Sequence, residues 1–131
     1  MATAFQVTFD SADPRTHAAF WAEALHYSVV PPDPGNPGDG VDEAALVDPD
    51  GVGPRLYFQR VPEPKTAKNR VHLDLRAAAG RPRGERSDAL EEECTRLVAL
   101  GATRVRRLEA DAVNDVTIVM ADPEGNEFCL D

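Results

Sequence analysis

The sequence predicts an α+β fold made of two successive βαβββ modules. Two segments, FQVTFD from Phe5 and RVHLDL from Arg70, alternate apolar and polar residues with the period of a half-buried strand. Each precedes a helical stretch, and each helix precedes strands folded around a turn of the same chemistry, Asp48-Pro49-Asp50-Gly51 and Asp122-Pro123-Glu124-Gly125. Leu25 and Leu100, which close the two helices, recur at nearly the same offset as the two turns, and a register kept so well points to an internal duplication. Neither half buries a sheet face alone, so residues 1–65 and 66–131 are read as two modules of one domain, a size that 131 residues fit.

In module one, Phe5, Val7 and Phe9 form the apolar side of the first strand, and Gln6, Thr8 and Asp10 form its polar side. Asp13-Pro14 supplies an N-cap followed by proline at the first helical position, and Ala18, Trp21 and Leu25 make a helical stripe in which Trp21 belongs to the core. His17 is expected on the exposed face of that helix, and His26 in the turn that follows. The Pro- and Gly-rich residues 31–40 form a loop. EAALVD and PRLYFQRV then read as strands, with Phe58 buried and Tyr57 turned to the polar side, where its ring can stack on a planar ligand.

In module two, Val71, Leu73 and Leu75 alternate with Arg70, His72 and Asp74. The basic residues 81–86 read as a solvated loop before a second helix, capped by Ser87, whose stripe is Leu90, Cys94, Leu97 and Val98 and whose end is marked by Gly101. Strands are expected at Thr103–Leu108, residues 115–121 and Glu127–Leu130.

Composition narrows the function classes. A formal charge of −9 and a pI near 4.7 argue against nucleic acid, whose affinity rests on Lys and Arg displacing counterions, and the same acidity would favour a cationic ligand. No apolar run reaches the ~20 residues that span a bilayer, and no signal peptide opens the chain, so a cytoplasmic protein with no membrane partner is expected. Cys94 and Cys129 form no metal-type or redox-type spacing and read as small buried hydrophobes. Phosphate cradles, nucleophile elbows and EF-hand loops do not occur, and the two Asp-Pro turns carry too few oxygens for calcium.

The segments FDSADPRTHAAFWAEAL, RLYFQRVPEPKTAKNRVHLDL, LVALGATRV and MADPEGNEFCL together resemble the glyoxalase/bleomycin-resistance/dioxygenase (vicinal oxygen chelate) superfamily over nearly the whole chain. The resemblance implies that the two modules share one curved mixed sheet with a concave cleft, one mouth of which the 31–40 loop would cover, and a homodimer. In the metal-binding members it implies one ligand from the first and last strand of each module. Carried onto this chain, those positions are Gln6, His72 and Glu127, with Glu127 also the candidate catalytic base. The last strand of module one offers Arg55, Tyr57 or Gln59 where the metal enzymes carry an acid. One His, one Glu and neutral amides make a weak set for Zn, Ni, Fe or Mn, because charge neutralisation drives much of divalent-ion affinity.

Three functions follow. The first is a small-molecule-binding protein of the resistance type that sequesters a cationic or aromatic compound, with Thr8, Tyr57, Gln59, Arg70 and Asp74 lining the cleft. The second is a divalent-metal-dependent lyase or isomerase of the glyoxalase I kind, or a dioxygenase, in which the ion stabilises an enediolate-like anion. The third is an interaction domain without either role. Whether the protein is an enzyme is left open by the residues.

Overall fold

The computed structural model describes residues 1–131 and has an α+β fold. The chain forms two compact units, Met1–Pro64 and Lys65–Asp131, each with a four-stranded mixed sheet and one long helix.

In the first unit, β1 (Gln6–Ser11) leads through α1 (Pro14–Leu25) to β2 (Ser28–Val29), β3 (Glu43–Val47) and β4 (Arg55–Arg60). The sheet order is β1-β4-β3-β2, with β1 parallel to β4 and the other pairs antiparallel. The Asp13 carboxylate accepts a hydrogen bond from the Thr16 N–H at 3.3 Å, and Pro14 fixes the first helical φ, so the helix starts where the sequence marks it. It stops at His26, which takes the left-handed φ of 58° and donates its N–H to the Ala22 carbonyl.

His17 is not exposed. It is fully buried, with Nδ1 2.6 Å from Ser11 Oγ and its ring edge-on to Phe9 and Phe58. It lies one turn before Trp21 and therefore shares the stripe that faces the sheet. Around it Phe9 stacks on Phe58 and Trp21 at centroid distances of 5.1 and 5.7 Å, so this core is aromatic. Phe5, expected to be buried, is 71% exposed because it precedes the first residue that pairs with β4.

In the second unit, β5 (Asp74–Leu75), α2 (Arg86–Leu100), β6 (Thr103–Leu108), β7 (Thr117–Ala121) and β8 (Glu127–Leu130) give the order β5-β8-β7-β6, again with the first strand parallel to the last. The buried side chains are mainly aliphatic, Leu90, Leu97, Ile118, Met120 and Leu130, joined by Phe128 and Cys94. Ser87 does not cap α2. The helix begins at Arg86, out of a 3-10 turn at Arg83–Glu85, and the Ser87 hydroxyl instead accepts from Arg107 Nη2 at 2.9 Å. A bulge between Arg104 and Arg106 shifts the β6 register, so that Arg104 and Arg107 both reach Glu91 on α2, at 2.5 and 2.9 Å.

The strand expected over RVHLDL is present only at Asp74–Leu75, and Val71 is 80% exposed. Asn69 occupies the place of a longer strand. Its side-chain amide accepts from the Glu127 N–H at 2.9 Å and donates to the Glu127 carbonyl at 3.2 Å, satisfying the backbone groups that a strand partner would take.

Both Asp-Pro turns close in the same way. Asp48 accepts backbone N–H bonds from Asp50, Val52 and Gly53, and Asp122 from Glu124 and Asn126, while Gly51 and Gly125 supply the φ values of 71° and 86° that such turns need. No helix is long and apolar enough to cross a membrane.

Candidate functional site

The polar face of the first unit is set by sheet register. The parallel pairing places Gln6 beside Arg55, Thr8 beside Tyr57 and Asp10 beside Gln59, and the antiparallel pairing adds Glu43 beside Gln59. Because side chains alternate across a strand, all of these project from the side opposite buried Leu56 and Phe58.

The row is bonded internally. Arg55 Nη1 donates to Gln6 Oε1 at 3.0 Å, Gln59 Nε2 to Asp10 Oδ1 at 2.8 Å, and the Gln6 amide to Thr8 Oγ1 at 3.3 Å. The Tyr57 hydroxyl donates to Glu43, whose other oxygen accepts from Asn36 Nδ2 at 2.8 Å, so the 31–40 loop is tied to this row. That bond to a carboxylate, assisted by partial burial, raises the Tyr57 phenol above its ordinary pKa. The Arg55 guanidinium lies 5.8 Å from the Tyr57 ring centre.

The second unit offers a different face. Glu127 and Cys129 alternate with buried Phe128 and Leu130, and Asp74 is the register partner of Cys129. Glu127 Oε2 lies 3.0 Å from Lys68 Nζ, a bond that holds its carboxyl below the usual range. His72 Nε2 lies 3.3 Å from Asp74 Oδ1, and His72, Asp74 and Cys129 each place a donor atom within 4.8 Å of the others. Burial, then the adjacent Asp74 carboxylate, pushes the Cys129 thiol up, so it is protonated near neutrality. Arg70 is exposed and precedes β5.

The donor set carried over from the resemblance does not fit a divalent cation. Gln6 Oε1 is already an acceptor for a guanidinium, Glu127 is paired to an ammonium group, and β4 adds a cation, a phenol and an amide but no carboxylate. Cys129 was the donor that sequence reasoning missed. Its signal was the period of two in Glu127-Phe128-Cys129-Leu130, which puts the thiol on the face of Glu127 rather than in the core.

Residues 6–130 match the family described as glyoxalase-like domain, and the chain belongs to that family. No curated protein matches the chain. Among solved structures it is similar to a variant of the fosfomycin resistance protein FosX from Listeria monocytogenes, complexed with Mn(II) and 1S,2S-dihydroxypropylphosphonic acid. The identity there is 14% and the TM-score 0.69, over 99% of this chain and 90% of that one. A glyoxalase/bleomycin resistance protein/dioxygenase family enzyme from Burkholderia phytofirmans PsJN has 16% identity and a TM-score of 0.66, over 95% and 94%. A glyoxalase-related enzyme from Fulvimarina pelagi has 18% identity and a TM-score of 0.66, over 99% and 87%. At these identities the likeness is one of fold.

Proposed function

We propose that this protein binds a small organic ligand on the polar sheet face of its first unit and sequesters it, without the four-ligand metal centre of the metal-dependent members. The observation that carries this reading is the Arg55 guanidinium, bonded to Gln6 in the row where those members carry an acid. A guanidinium has no lone pair to give a metal ion and here occupies the Gln6 carbonyl oxygen, whereas Tyr57, Gln59 and Thr8 beside it can stack on and hydrogen-bond a planar organic molecule. Asp10 and Glu43 in the same row, together with the overall charge of −9, favour an aromatic cation. On this reading Glu127 has no catalytic duty.

A cytoplasmic setting suits two free cysteines. A homodimer would cover Phe5 and Val71, the exposed apolar residues just before the unpaired edges of β1 and β5.

The test is a tyrosine-fluorescence titration of chelator-treated protein with a panel of aromatic cations, on wild type and Tyr57→Ala. Trp21 is buried and serves as an internal reference. Saturable binding without added metal, weakened about tenfold or more in Tyr57→Ala, is expected. Binding that appears only when a divalent ion is added would overturn the reading.

A further inference from the structure

The second unit gathers three donors that the family resemblance does not assign as a set. We propose that His72, Asp74 and Cys129 form a binding site for a thiophilic divalent cation of the Zn²⁺ and Co²⁺ class, with the Cys129 thiolate as the strongest ligand. The site lies within one unit and does not depend on the small-molecule reading.

Geometry supports it first. A tetrahedral ion with N and O ligands at ~2.1 Å and sulfur at ~2.3 Å keeps its donors roughly 3.3–3.8 Å apart. His72 Nε2 and Asp74 Oδ1 are already 3.3 Å apart, and all three donor atoms lie within 4.8 Å, so small rotamer changes close the set. The scaffold is also prepared. Asp74 and Cys129 are register partners in the β5–β8 ladder, and the Cys129 N–H donates to the Leu73 carbonyl at 2.9 Å, which fixes two donors through backbone bonds. His72 stands two residues before Asp74, just outside the strand, and its Nε2 reaches the Asp74 carboxylate at 3.3 Å.

Charge and ligand type agree. A thiolate and a carboxylate neutralise a divalent ion, and the sulfur selects Zn²⁺ or Co²⁺ over the oxygen-loving Mg²⁺, Ca²⁺ and Mn²⁺. Asp131 and Arg106 also act on Cys129, the carboxylate raising the thiol and the guanidinium lowering it. Three protein ligands leave a fourth position for water or an added ligand. The resting thiol is protonated, so binding exchanges the S–H proton for the metal, with the proton released to solvent and no redox change. Cys94 takes no part, being buried within the helix-side core.

The full chain, metal-stripped and reduced, is titrated with Co²⁺ while near-ultraviolet absorbance and released protons are followed. A sulfur-to-cobalt charge-transfer band should saturate at about one ion per chain with release of about one proton. The band should vanish in Cys129→Ser and persist in Glu127→Gln. In His72→Ala and Asp74→Asn the affinity should fall by more than the ~10-fold that loss of an outer-shell partner costs. Independently, Zn²⁺ at about ten times its dissociation constant should slow thiol-reagent modification of wild-type Cys129 about tenfold, a readout that survives if a variant fails to fold. A cobalt spectrum with no sulfur band, a band retained in Cys129→Ser, or a modification rate indifferent to Zn²⁺ would each overturn the site.

Discussion

In the first unit the parallel ladder runs from Gln6↔Arg55 to Ser11↔Arg60, whereas in the second the equivalent ladder covers only Asp74↔Cys129 and Leu75↔Leu130. The two units share topology, helix placement and turn chemistry, so the difference lies in side chains. Where the ladder is long, the polar row on it is aligned pair by pair and bonds to itself, Gln6 to Arg55 and Asp10 to Gln59. Where Asn69 replaces the start of the strand, His72 escapes that pairing and meets Asp74 and Cys129 instead. Duplication supplies the same frame twice, and local loss of strand pairing gives one copy a different chemistry.

The cores differ in parallel, and the largest expected effects come from there. Phe58 lies fully buried against Phe9 and His17, so Phe58→Ala should cost ~3–5 kcal/mol, read as a lowered urea midpoint. Leu97→Ala, the matching deletion in the aliphatic core, should cost ~2–5 kcal/mol. A much cheaper Phe58 deletion would show that the aromatic stack does not hold the first unit together.

Ser11→Ala should follow at ~1–3 kcal/mol, because it removes the hydroxyl 2.6 Å from buried His17 Nδ1. The second unit has no buried counterpart of that pair, so the effect is specific to the aromatic core.

Glu91 is expected to give the smallest of these effects. Bonds from Arg104 and Arg107 lower its carboxyl to about 2. A group whose pKa is depressed on folding contributes stability above its unfolded value of ~4.3 and loses it as pH falls toward the folded value. The Glu91 side chain is 37% exposed, so solvent screening cuts the contribution to ~1 kcal/mol or less. Glu91→Gln should flatten thermal stability between about pH 5 and pH 2 relative to wild type, and an unchanged slope would argue that the arginine clamp adds nothing.

The duplicated frame was legible because it rests on signals that survive in sequence: strand alternation, an Asp-Pro cap, and the two Asp-Pro turns whose aspartates bind the following backbone N–H groups. What was not legible arose from contacts between distant residues. Ser87 reads as a cap until Arg107 claims its hydroxyl, TRVRRL reads as a plain strand until Glu91 draws two arginines to one side, and RVHLDL reads as a full strand until Asn69 takes the Glu127 backbone. Alternation alone gave the polar sides of β1 and β4, whereas Glu43 and the pairings along the row needed the sheet register. The second unit's donor cluster needed the register of β5 against β8, which no local pattern states.

The most direct test of this divergence is a calorimetric titration of the metal-stripped protein with Zn²⁺, run on wild type, Gln6→Ala and Cys129→Ser. One ion per chain at micromolar affinity or tighter, unchanged in Gln6→Ala and lost in Cys129→Ser, is the expected result. Binding lost in Gln6→Ala, or no binding in wild type, would contradict it.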